Sequence, residues 1–245
     1  MAGEDIRTYF SKQQAARPAP SIMSSTSKKD AKRPASSPPE DSKEPPAARP
    51  KTTQNEPPPE ASAPGDAQPT TLKLTYHEGD IFGAPDNTVL IHACNTQGSW
   101  GAGIAAAFRT KYPQAYKAYR NHCLAQHDPK TDPVRTGTCL LIPPCETNPK
   151  TAKHWIGCLF TSAKYGKAKD KPAVILRNTA PAMRDLMRQV SEAREQDEDQ
   201  PVESFRMCKI NSARFGVPWE RTEEVLQGIA VEEGWPESIQ VWSIE

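Results

Sequence analysis

The stretch VLIHACNTQGSWGAGIAAAF, residues 89–108, decides the fold. It opens as a continuously apolar run, the signature of a strand buried on both faces of a sheet. It then passes through a glycine-rich loop holding Gly98, Gly101 and Gly103 and continues from 103 as the helical segment GIAAAFRTKY. Strand, glycine loop and helix in that order form a cradle for an anion. The glycines admit close backbone approach, and the first amides of a helix lack partners within it. The loop has no Lys-Ser/Thr ending, and Trp100 stands where a dinucleotide fingerprint needs small residues. The segment therefore suits a nucleotide diphosphate while matching neither standard motif.

Working outward, strands are expected at 72–76, 138–143, 154–160, 205–211 and 239–244. Pro113 separates the 103–112 helix from a second one carrying Tyr116 and Tyr119. Met183, Leu186, Met187 and Val190 repeat at helical spacing, which places Pro181 in a first turn capped by Asn178 or Thr179. Pro218 starts a last helix at 219–229, and the acidic run 192–204 reads as a solvated loop. Strand–helix alternation predicts an α/β domain with helices on both faces of a mixed central sheet, spanning 72–245. Residues 1–71 differ in kind. They hold more than half of the chain's 25 prolines and almost no branched apolar side chains, so a disordered tail is expected. The hydrophobic share of the whole 245-residue chain, 36%, agrees with an unfolded part.

Composition excludes several classes. A net charge of +1, from 31 basic and 30 acidic residues, predicts no direct nucleic-acid binding. No apolar run is long enough to span a bilayer, and the first residues carry no secretory signal, so an intracellular protein of cytoplasm or nucleus is expected. The six cysteines then stay reduced and behave as small buried hydrophobes. No CxxC or paired Cys/His spacing points to a metal.

Two further segments stand at strand ends. In Gly79-Asp80-Ile81 the carboxylate can accept a hydrogen bond from the exocyclic amine of a base, although Gly-Asp also suits an ordinary turn. NSARFGVP, 211–218, is another strand–loop–helix junction whose amides can close on the same phosphates, with Phe215 placed to stack on a sugar or base.

The 89–108 stretch, the YPQAY that follows and INSARFGVPWERTEEVL (210–226) resemble the fungal ADP-ribose 1″-phosphate phosphatases, which are small macrodomains. The resemblance covers nearly all of 72–245. It implies that Gly79, Asp80 and the Ile81 amide meet adenine and that Asn95 holds the distal ribose. Ala93, Cys94, the run Trp100, Gly101, Ala102, Gly103, Ile104, Ala105 and the run Ile210, Asn211, Ser212, Ala213, Arg214, Phe215, Gly216 would line the remaining cleft. It implies no cofactor and no metal, and a substrate left over from tRNA splicing. Where the family has Asn-Ser-Gly this chain has Ala213; a positive φ there would cost alanine about 1 kcal/mol.

Three activities remain open on these residues: hydrolysis of the 1″-phosphate, hydrolysis of ADP-ribose esters on proteins, and non-catalytic reading of ADP-ribose. For catalysis, His92 beside Asn95 is either a general acid–base or a packed strand-end histidine. Lys164 is the lysine that an adduct mechanism would use, or a solvated loop residue. Cys208 and Arg214 have the Cys-x5-Arg spacing of cysteine phosphatases, without the glycines or preceding histidine of that loop. In the tail, Ile6, Tyr9 and Phe10 resemble a sliding-clamp-binding box lacking its glutamine, and Lys28, Lys29, Lys32 and Arg33 form a short basic patch suited to nuclear import.

Overall fold

Strand β2 (Thr88–Asn95) lies near the middle of a six-stranded sheet and is buried almost throughout, because it is covered on both faces. The computed structural model describes residues 70–196 and 202–244. The tail, with Ile6, Tyr9, Phe10 and the basic patch, lies outside the described residues. The other strands are β1 (Lys73–Glu78), β3 (Cys139–Ile142), β4 (Trp155–Ser162), β5 (Ser204–Cys208) and β6 (Ser238–Ser243). Their order is β1-β6-β5-β2-β4-β3, parallel throughout except for the antiparallel β3–β4 pair.

Helices α1 (Ile104–Lys111) and α2 (Pro113–Asn121) cover one face, and α3 (Pro172–Gln196) the other, with α4 (Trp219–Gln227) packed beside α3. Side-chain alternation along the strands assigns the faces. His92 stacks on Phe108 of α1, and Phe160 of β4 stacks on Tyr119 of α2. Gly157 of β4, paired with Ile91 of β2, faces Leu186 of α3. A Cβ on Gly157 would stand only 3.2 Å from Leu186, so the helix seats its leucine where the strand has no side chain.

Helix α3 corrects two expectations. It begins at Pro172 and runs through Pro181 without stopping. The buried stripe Ile175, Thr179, Ala182, Met183, Leu186, Met187 and Val190 continues across the exposed proline, so packing holds the helix together despite the amide that proline lacks. Asn178 and Thr179 are therefore not caps. Asn178 Nδ2 donates to Thr161 O at 3.0 Å, and Thr179 Oγ1 donates to Ile175 O at 2.8 Å. The expected 192–204 loop is also shorter, since the helix extends to Gln196 and β5 starts at Ser204.

Strand β3 forms one edge of the sheet, and α3 satisfies its outer backbone groups. Asp185 Oδ2 accepts from Cys139 N at 2.7 Å, Gln189 Oε1 accepts from Leu141 N at 3.0 Å, and Gln189 Nε2 donates to Cys139 O at 2.8 Å. An edge that would otherwise template another strand is closed by two side chains of one helix.

His154 joins the start of β4 to the loop after β1 and to the end of α1. Its Nδ1 accepts from the Tyr112 hydroxyl at 2.6 Å, and its Nε2–H points at the Ala84 and Pro85 carbonyls at 3.0 Å. Burial holds the imidazole below its ordinary pKa, and the two carbonyls oppose this only in part.

Two outcomes are expected. Gln189→Leu leaves buried β3 groups unpaired and costs about 2–3 kcal/mol, measured by urea unfolding. The unfolded chain protonates His154 near pH 6.5, whereas the folded one resists. Stability is therefore full above that pH and declines below it. The fall in Tm between about pH 6.5 and pH 5 is shallower in His154→Gln.

Candidate functional site

The parallel strands β1, β6, β5, β2 and β4 all end at the same edge of the sheet, where open α/β folds gather their ligand loops. These ends enclose a cleft of about 930 Å³. Most of the residues named from sequence line it: Gly79, Asp80, Ile81, Ala93, Asn95, the run from Trp100 to Ala105, and the run from Ile210 to Phe215. The two glycine-loop segments meet. Gly103 has φ +59, and a Cβ on it would lie 3.5 Å from the Arg214 side chain, so the positive φ and the close crossing both demand glycine.

At the β1 end, Asp80 Oδ1 accepts from Phe82 N at 3.0 Å and caps the short 3-10 turn Ile81–Gly83. Its side chain is 55% exposed, with Lys111 Nζ 3.6 Å from Oδ2. An aromatic wall missed by the sequence reading stands nearby. Trp242 of β6 lines the cleft, with the His77 ring stacked at 5.1 Å and the Arg206 guanidinium 4.1 Å from its ring centre. The sequence marked 239–244 only as a strand, and nothing in its spacing singled out Trp242.

On the β2 loop, the Asn95 side chain turns inward. Oδ1 accepts from Gln97 N at 3.0 Å, and Nδ2 donates to Ser99 O at 2.7 Å. Trp100 is sealed in the core, stacked on Tyr119 at 5.0 Å and edge-on to His92 at 4.8 Å, so its side chain serves as the floor of the cleft. The β5 loop repeats the device. Asn211 adopts φ +64, a conformation asparagine tolerates better than most residues. Its Oδ1 accepts from Thr161 Oγ1 at 2.8 Å, and its Nδ2 donates to Thr179 Oγ1 at 3.0 Å. Ala213 is not among the positive-φ residues, so alanine carries no strain there.

Three expected residues stand apart from the cleft. His92 is 0% exposed, its ring held between Phe108 and Trp100 and 3.5 Å from Cys94 Sγ, which leaves it no path to a ligand as an acid or base. Cys94 is buried beside it. With Cys158 from β4 these residues bring an imidazole and two thiols within 4.8 Å of one another, a grouping that only strand pairing reveals. Gly216 lies just past the lining, its amide bonded to Ser212 O at 2.8 Å.

Cys208 does line the cleft, but burial pushes its thiol up to about 12. It is thus protonated near neutral pH and lacks the thiolate that a cysteine phosphatase requires. Lys164 is exposed and outside the lining, whereas Tyr165, Lys167 and Lys169 of the same loop face the cleft.

Residues 91–226 match the Macro domain. The chain is 47% identical over 169 residues to the ADP-ribose 1″-phosphate phosphatase of Chaetomium globosum, covering 68% of this chain and 89% of that one. It is 44% identical over 185 residues to the protein of the same name from Neosartorya fischeri, covering 65% and 92%. In structure it is similar to the macrodomain of Mycobacterium tuberculosis DarG, with a TM-score of 0.51 at 20% identity, covering 69% and 97%. The mixed sheet, the paired strand-end loops and these relationships agree: the chain belongs to the Macro domain family.

Proposed function

We propose that this protein is an ADP-ribose 1″-phosphate phosphatase, which uses water to release inorganic phosphate and leaves ADP-ribose. The observation that carries the reading is the identity with the fungal enzymes of that name, together with a Macro domain match whose residues 91–226 span both loops of the cleft. Asp80 takes the adenine amine, and the backbone amides of the Gly101–Ala105 and Ser212–Phe215 segments hold the diphosphate. The distal ribose reaches the end of the cleft formed by β2 and β4.

Cleavage of a phosphomonoester passes through a loose transition state, so fixed dipoles and placement of water contribute more than a strong base. The site is built accordingly. Asn95 acts as a positioning residue whose amide shapes the loop, and His92 acts as packing beneath it. A second reading, an ADP-ribose reader without turnover, is favoured by one observation. Among the described residues the cleft is lined by no histidine and by a single carboxylate, Asp80.

Phosphate release from ADP-ribose 1″-phosphate, measured beside ADP-ribose release from a modified protein, separates these readings. Phosphate release is expected; inactivity on both substrates with tight ADP-ribose binding would establish the reader. Asn95→Ala is expected to lower kcat/KM about 100-fold by misplacing the loop, and Asp80→Ala to weaken ADP-ribose binding about ten-fold. His92→Phe keeps the stack on Phe108 and should retain most activity. Loss of turnover in that variant without unfolding would restore His92 as the acid–base group.

A further inference from the structure

The loop joining β4 to α3 presents two lysines to the cleft, and its neck is tied shut. Asp170 Oδ2 accepts from Ala163 N at 2.7 Å, and Asp170 N donates to Ser162 Oγ at 3.0 Å, so residues 163–170 leave the sheet and return to the same point. Lys167 and Lys169 project from this closed loop into the cleft lining, and Arg214 joins them from the β5 loop. Lys169 lies across Gly216, where a Cβ would stand 3.7 Å from its Cε. Among the described residues, none of the three cations has a carboxylate within ion-pair distance. The one carboxylate lining the cleft, Asp80, follows β1 and is paired with Lys111.

The cleft is therefore polarised along its length. From β1 to β4 there are four interstrand steps, about 19 Å; the carboxylate follows β1, whereas Lys167 and Lys169 come from the loop after β4, and Lys209 and Arg214 from the end of β5. A ligand that places its base at Asp80 brings its far terminus to the lysines. Between ADP-ribose and its 1″-phosphate, the added charge resides at that terminus alone.

We propose that Lys167 and Lys169, assisted by Arg214, form a subsite for a terminal phosphate dianion and set the preference for a phosphorylated ligand over its unphosphorylated counterpart. Because the loop is pinned by Asp170, the cations are held near the phosphate before it arrives, and little ordering accompanies binding. The inference deepens the phosphatase reading and rests on it for the ligand's orientation.

The test uses the full chain carrying K167Q/K169Q. A control, K130Q/K150Q, removes the same charge from residues outside the cleft lining. The KM for ADP-ribose 1″-phosphate is expected to rise about ten-fold or more in K167Q/K169Q, while ADP-ribose affinity, measured by calorimetry, changes less than about two-fold. The control should change neither. An unchanged KM, or an equal loss of affinity for both ligands, overturns the subsite. If the wild-type protein releases no phosphate, the phosphatase reading fails, but competition binding still decides the subsite. A wild-type preference for the phosphorylated ligand that disappears in K167Q/K169Q supports it, and the absence of any wild-type preference overturns it.

Discussion

The side-chain amide of Asn95 closes a ring with its own loop, and the floor of the cleft is set by that ring. Two amides converge on Oδ1, from Gln97 at 3.0 Å and Ser99 at 3.4 Å, while Nδ2 reaches Ser99 O. The Tyr119 hydroxyl donates to the Asn95 carbonyl at 2.5 Å, and the β2–β4 register shifts at the same residue. The strand therefore cannot continue, and the chain must turn before Trp100. Trp100 then drops into the aromatic cluster of Tyr119, Phe108 and His92, and residues 101–103 are lifted into solvent. Helix α1 starts there, with its first amides directed away from the helix body.

Strand β5 reaches the same result through a different asparagine. Asn211 anchors to Thr161 of β4 and Thr179 of α3, and its carbonyl accepts from Val217 N at 3.0 Å. Both loops thus turn their asparagine side chains inward and leave backbone amides at the cleft. Such a surface recognises an anion by shape and dipole rather than through a titrating acid or base. This explains why the most reactive side chains expected there, His92 and Cys208, are respectively sealed away and held protonated.

All six strands, the two loops and four helices were legible from alternation, glycine placement and proline punctuation. Continuity of α3 through Pro181 was not, because proline reads locally as a start signal and only the packed stripe from Ile175 to Val190 overrides it. His92 was misplaced for a related reason. Proximity in sequence to Asn95 suggested proximity to ligand, yet the pleat turns alternate residues toward opposite faces, and His92 meets Phe108 instead. Lys167, Lys169 and Trp242 carried no local signal at all. They reach the cleft because β4 and β6 happen to end beside β2 and β5, a fact of strand order. Ala213 marks the opposite case, where the concern raised by a departure from the family pattern disappears once its backbone conformation is known.

A rigid backbone cradle over an aromatic floor has a consequence for specificity. Buried rings beneath the amides exclude water and lower the local dielectric, which strengthens each dipole directed at phosphate. The same packing prevents the loops from adapting, since Trp100 and Tyr119 cannot move without opening the core. The amide surface at the centre of the cleft is therefore the same for any ligand that enters it. Discrimination must come from side chains at the ends of the cleft, where the fold tolerates change: Asp80 on its capped turn and the cations on the loop clasped by Asp170. On such a scaffold a change of substrate requires altering one terminal loop, while the asparagine rings that build the centre stay fixed.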